Sequence, residues 1–184
     1  MSSFARTWGT TAEERGRSFP CDELLPDHSE TLFRGVTVHA GAPIVFRWLC
    51  QLRVAPYSYD WLDNQGRRSP RTLTPGAERL EFGQRVMGIF DLVAFERDRH
   101  LTLRLRKPGV FPPMAVSYAV EPSSPTECRL VVKLVVRERP GLRDRVGRVV
   151  FPWLDLFMMR RQLLNLKQLA EAEPAEIAPP KLAR

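Results

Sequence analysis

The apolar residues of this chain change their spacing once, and that change limits the possible folds more than any other feature. Between residues 85 and 137 they fall on every second position; from Leu142 onward they recur every three or four. A period of two marks a half-buried strand, and one of about 3.6 an amphipathic helix. Strand-like runs cover Arg85 to Phe95, Leu101 to Arg106, Met114 to Val120 and Cys128 to Arg137. Turn signals separate them at Arg97-Asp98-Arg99, at Lys107-Pro108-Gly109 with Pro112-Pro113, and at Glu121 to Pro125. Connections this short join antiparallel neighbours. Parity then assigns the faces. Thr102, Arg104 and Arg106 are expected in water and Leu101, Leu103 and Leu105 inside. Arg129, Lys133 and Arg137 are expected in water, with Leu130, Val132, Leu134 and Val136 inside. Met114, Val116 and Tyr118 join the inner face.

The second half of the pattern predicts one helix over about 142–171, with Val146, Val149, Val150, Trp153, Phe157 and Leu164 as its apolar stripe. Pro152 lies within it and is expected to kink it. At about 1.5 Å per residue such a helix reaches roughly 45 Å, enough to cross a sheet. Its most apolar stretch, Val149 to Met159, includes Asp155 and has 11 residues. A membrane span needs about 20, so no stable membrane insertion is expected.

Upstream, Thr11 and Glu14 have the spacing of a capping box and predict a short helix at 12–17. A strand is expected over Leu32 to His39, and Pro43 suits the first turn of a helix carrying Val45, Trp48, Leu49 and Leu52. Residues 65–76, rich in Arg, Ser, Pro and Gly, read as a surface loop. The boundaries expected from this pass are an arm at 1–30, one domain at 31–172 and a flexible tail at 173–184. With 184 residues, 43% of them hydrophobic, one real core is feasible and disorder throughout is excluded.

Net charge is +7, and lysine occurs only at positions 107, 133, 167 and 181, so arginine carries most of the excess. The arginines are interleaved with Asp and Glu along the whole chain, and no zinc spacing or RNA-binding signature accompanies them, so no nucleic-acid partner is expected. A solvated basic surface is the simplest reading; attraction to an anionic surface or ligand is a lesser one. Cys21, Cys50 and Cys128 form no CxxC pair and signal neither a disulfide framework nor a zinc site. With no charged-then-apolar leader at the start, a cytoplasmic protein is expected.

The densest set of proton-transfer groups is Tyr57 to Asn64. As a helix it would stack Tyr57 on Trp61 and pair Asp60 with Asn64. Asp60 with Tyr57 or Tyr59 is a candidate acid–base set at a pocket mouth, if burial raises the carboxylate toward neutrality. The plainer alternative makes the aromatics a plug and leaves Asp60 and Asp63 to cap backbone groups. Arg34 shares parity with Val36 and Val38, which allows it to point inward near one end of the strand and meet a ligand carboxylate or phosphate; escape to solvent is the commoner outcome at a strand start. His28, His39 and His100 are isolated, and no GxSxG, HExxH, phosphate loop or dinucleotide fingerprint occurs. No cofactor is expected.

One strand, two short helices, a run of antiparallel strands and a long last helix is an uncommon order. Together with Val36-Thr37-Val38-His39-Ala40-Gly41-Ala42-Pro43 and Arg160-Arg161-Gln162-Leu163-Leu164-Asn165-Leu166-Lys167, it resembles the START-like superfamily (SRPBCC, of polyketide cyclase/dehydrase and lipid-transport type) over about residues 31–172. The resemblance implies an α+β helix-grip fold, a curved antiparallel sheet wrapped around the C-terminal helix. It also implies a cavity between the two for a hydrophobic or amphipathic molecule. Arg34, Trp61, Phe90, Leu103, Met114, Tyr118 and Val132 are the expected lining. Binding of a lipid- or polyketide-like molecule is the expected function. A cofactor-free polyketide cyclase or dehydratase using Asp60, Tyr57 and Tyr59 is the rival, and an interaction module without ligand is a third. A homodimer stays open.

Overall fold

Alternating apolar residues in the middle of the chain build one six-stranded antiparallel sheet, and the long last helix lies on one face of it. The computed structural model describes residues 4–107, 109, 111–137 and 142–173, the side chains of 142–148 excepted. In chain order come α1 (Phe4–Thr7), α2 (Ala12–Gly16), α3 (Pro20–Leu24), β1 (Glu30–Val38), α4 (Ala42–Cys50), α5 (Asp60–Asp63), β2 (Arg85–Val86), β3 (Phe90–Glu96), β4 (His100–Leu105), β5 (Met114–Ser124), β6 (Glu127–Val136) and α6 (Leu142–Ala172). Strand order is β1-β6-β5-β4-β3-β2, so the first strand pairs with the last and every pairing is antiparallel.

The inner face is as parity predicts. Leu101, Leu103, Leu105, Met114, Val116, Tyr118, Leu130, Val132, Leu134 and Val136 are all buried, in one cluster with Trp48 and Leu49 of α4 and Leu163 and Leu166 of α6. The capping box is present: Glu14 N–H donates to the Thr11 hydroxyl at 3.2 Å, and Thr11 N–H donates to the Glu14 carboxylate at 2.8 Å. Pro43 sits in the first turn of α4, where a missing N–H costs nothing.

Three expectations are corrected. Residues 85–95 are two strands, because Met87 (φ 47°) and Gly88 (φ 74°) turn the chain between them. The other face of the sheet does alternate, but it is covered. Thr102 and Lys133 are buried at 0% and 8% exposure, under a second cluster made by Phe19, Cys21 and Leu25 of the arm with Phe33, Ala115, Val131 and Val135. Thr102 and Ser117 hydroxyls lie 2.9 Å apart, and Cys21 N–H donates to Ser117 at 3.0 Å. Lys133 reaches Asp22 at 2.7 Å, above the rings of Phe19 and Phe33. Arg129, half-buried, binds Glu14 at 2.7 Å, while Arg104, Arg106 and Arg137 do face water.

The third correction concerns α6. Val149, Val150, Trp153 and Phe157 are exposed; the buried side of the helix is Pro152, Leu156, Gln162, Leu163, Leu166 and Ala170. Val146 and residues 174–184 lie outside the described side chains and residues.

Candidate functional site

A row of residues on the inner face carries the first polar feature. Arg34, Val132 and Tyr118 stand opposite one another across β1, β6 and β5. From α6, Asp155 and Gln162 meet the two ends of that row, seven residues apart and therefore on one side of the helix. The Arg34 guanidinium, 1% exposed, donates to the Asp155 carboxylate at 2.6 Å, to Phe33 O at 2.7 Å and to Pro152 O at 3.2 Å. Burial pulls Arg34 below its ordinary pKa and lifts the Asp155 carboxyl, each partly offset by the other's charge. Tyr118 donates to Gln162 Oε1 at 2.8 Å, and burial pushes its phenol up. Arg34 thus takes the inward orientation that parity allows and does not escape to solvent, and its partner is a residue of the chain.

Gln162 passes the connection on. Its amide donates to Pro56 O at 2.6 Å, and Asn165 donates to Tyr57 O at 2.8 Å, so α6 grips two successive carbonyls of the 56–64 segment. Tyr57 has φ 56°, a left-handed conformation costing a side-chain-bearing residue about 1–2 kcal/mol. The turn drives its ring into the core, edge-on to Trp48 with centroids 6.0 Å apart. It also takes Tyr57 out of the helix, so the expected Tyr57–Trp61 stack does not form. Tyr59 instead lies flat on Phe157 of α6 (4.2 Å, 5° between planes), with Trp61 at its edge and Arg161 above it. Asp60 does not pair with Asn64; its carboxylate accepts from Ser69 N–H at 3.0 Å and Ser69 Oγ at 2.6 Å, which folds the loop back on α5. Asn64 donates to Arg67 O, and Ser58 donates to Asp63. Burial lifts the Asp63 carboxyl and pushes the Tyr57 phenol up to about 12.

Beside this segment opens a cleft of about 290 Å³, lined by Tyr57, Tyr59, Asp60 and Trp61, by Ser69 and Arg71 of the loop, and by Arg161 and Asn165 of α6. A second, of about 300 Å³, lies beside Pro56, Asp63, Arg67, Arg85 and Met87. The Tyr57 hydroxyl and Trp48 Nε1 are buried and have no hydrogen-bond partner among the described residues. No three His, Cys, Asp or Glu side chains converge as metal ligands there, and no helix there is long and apolar enough to cross a membrane.

No protein-family model matches the sequence, and no curated protein matches it. Solved structures do. The ZhuI aromatase/cyclase from Streptomyces sp. R1128 aligns at 15% identity over 77% of this chain and 93% of that one, with a TM-score of 0.51. A protein from Thermus thermophilus aligns at 14% identity over 77% and 97%, also at 0.51. The fold is the helix grip, shared with these two structures. A START superfamily protein from Mycobacterium smegmatis aligns at 13% identity over 73% and 98%, with a TM-score of 0.40.

In this helix-grip frame the expected site residues other than Arg34 divide into two groups. Tyr57, Tyr59, Asp60 and Trp61 meet at the first cleft. Phe90, Leu103, Met114, Tyr118 and Val132, none more than 9% exposed, are packed in the sheet–helix core and are not among the cleft's lining residues. Asp155, Gln162, Asn165, Ser69 and Arg161 were missed from the sequence. Asp155 had a readable signal, being the charge inside the most apolar stretch of α6. Gln162, Asn165 and Arg161 had none, since they meet residues 56–59 about a hundred positions away; Ser69, nine residues from Asp60, lies in the stretch read as a plain surface loop.

Proposed function

We propose that this START-like chain binds an amphipathic small molecule at the cleft between the 57–71 segment and α6. The observation that carries the reading is the buried, unpartnered hydroxyl of Tyr57, a lining residue of the cleft. Leaving a buried donor unpaired costs about 1–3 kcal/mol, a cost that a ligand acceptor removes. The Tyr57 ring turns inward from the cleft, so a ligand reaches its phenol only by entering past the rim; the phenol, pushed up to about 12 by burial, stays a donor at neutral pH. Arg71 and Arg161 stand in the same lining and suit a ligand whose outer end is anionic. Carriage fits this chemistry better than acid–base catalysis, because the candidate base Asp60 accepts two hydrogen bonds from Ser69 and holds the loop.

Native mass spectrometry of the purified chain tests for a co-purifying small molecule. Titration with a fluorescent fatty acid then tests the donor. Tyr57→Phe is expected to weaken uptake by about fivefold, the equivalent of one hydrogen bond, while the melting temperature stays level or rises. Unchanged uptake together with a lowered melting temperature would make the hydroxyl structural and remove the reading.

A further inference from the structure

We infer that the aromatic rim beside this cleft is a docking surface for an anionic lipid membrane. Trp61 (72% exposed), Trp153 (55%) and Phe157 (50%) are the large aromatics of the rim, and Leu62 and Leu154 stand exposed beside them. Trp153 and Phe157 are one turn apart on α6. Phe157 stacks on Tyr59, and Tyr59 meets the edge of Trp61, so the face of α6 and the short helix α5 form one patch. Single exposed apolar residues need no explanation, whereas a contiguous patch marks a contact surface.

Charge selects the occupant. Arg67, Arg68, Arg71, Arg160 and Arg161 are exposed around the patch, and none forms an ion pair among the described residues. Asp155 is offset by Arg34; Asp60 and Asp63, hydrogen-bonded only to the neutral Ser69 and Ser58, keep their charges but are outnumbered by the five arginines. A second copy of the chain would bring arginines against arginines. An anionic membrane offers phosphates to the arginines and an acyl boundary to the rings, and tryptophan at the headgroup level is the usual anchor of such contacts. The contact is superficial, since no described helix spans a bilayer. It would place the mouth of the cleft on the lipid surface, although docking itself requires no bound ligand.

Co-sedimentation of the full chain with vesicles tests this. Binding is expected to vesicles of phosphatidylcholine mixed equally with phosphatidylglycerol and not to phosphatidylcholine alone, and to weaken as salt is raised. Trp61→Ser with Trp153→Ser, and separately Arg68→Glu with Arg160→Glu, are each expected to weaken it about tenfold or more while the melting temperature holds. Tryptophan emission should shift to the blue on mixing with anionic vesicles, and the Trp61/Trp153 variant should lose that shift. Wild-type protein that ignores anionic vesicles overturns the proposal. So does a tryptophan variant that binds them as wild type does, since charge alone would then be at work. A solution dimer that the tryptophan variant dissolves would assign the patch to a second copy, and capture of an acidic protein without vesicle binding would assign it to that protein.

Discussion

Removing either member of the Arg34–Asp155 pair leaves the other charge under α6 without a counterion. Arg34→Met and Asp155→Leu are each expected to lower unfolding free energy by about 3–5 kcal/mol, and the double variant to recover most of that loss. Urea denaturation of the two single variants and the double completes the cycle. Glu14 gives a pH signature at the same scale. Burial opposes its ionisation, but hydrogen bonds from Arg129 and Thr11 outweigh that and hold the carboxyl below its ordinary value of 4.5. A depressed carboxylate contributes stability that is present above the unfolded value and lost as pH falls through the folded one. Melting temperature should therefore drop as pH falls below 4.5, and Glu14→Gln should flatten part of that drop.

At the scale of elements, α6 offers two apolar stripes, and only one is buried. Pro152, Leu156, Met159, Leu163, Leu166 and Ala170 follow alternating steps of four and three, while Val149, Trp153 and Phe157 form a bulkier rival. The buried side also carries Asp155 and Gln162, which a hydropathy reading sends to water. They are tolerated inside because Arg34 and Tyr118 satisfy them. Leu156→Ala and Leu163→Ala should each cost about 2–5 kcal/mol, since each leaves a cavity. Trp153→Ala and Phe157→Ala should cost less than about 1 kcal/mol, as exposed positions usually do. Chemical denaturation distinguishes the two sets. On the opposite face, the arm seals Cys21, whose thiol burial pushes up to about 11. Native protein should resist thiol-labelling reagents, and Phe19→Ala should open Cys21 to them before Cys50 or Cys128.

Across the whole molecule, the sheet is covered on both faces, by α4 and α6 on one and by the arm on the other. Amide exchange should be slowest in β5 and β6, which pair on both sides, and fastest in the 57–71 segment, which side chains of α6 and Ser69 hold. Much of this was legible in the residues. Alternation over 101–136, the capping box at Thr11 and Pro43 at a helix start are local patterns, and steric and hydrogen-bonding rules act on them within a few residues. The inward turn of Arg34 was legible as an allowed outcome for the same reason, because strand parity has a period of two. The cover on Thr102 and Lys133 was not, since it depends on contacts such as Cys21 with Ser117 and Asp22 with Lys133, roughly a hundred residues apart. Nor was the face of α6 that turns inward. Hydropathy ranks Trp153 above Asp155 for burial, and that order reverses only when the far end of the chain brings a helix with Asp155 and Gln162 onto strands with Arg34 and Tyr118.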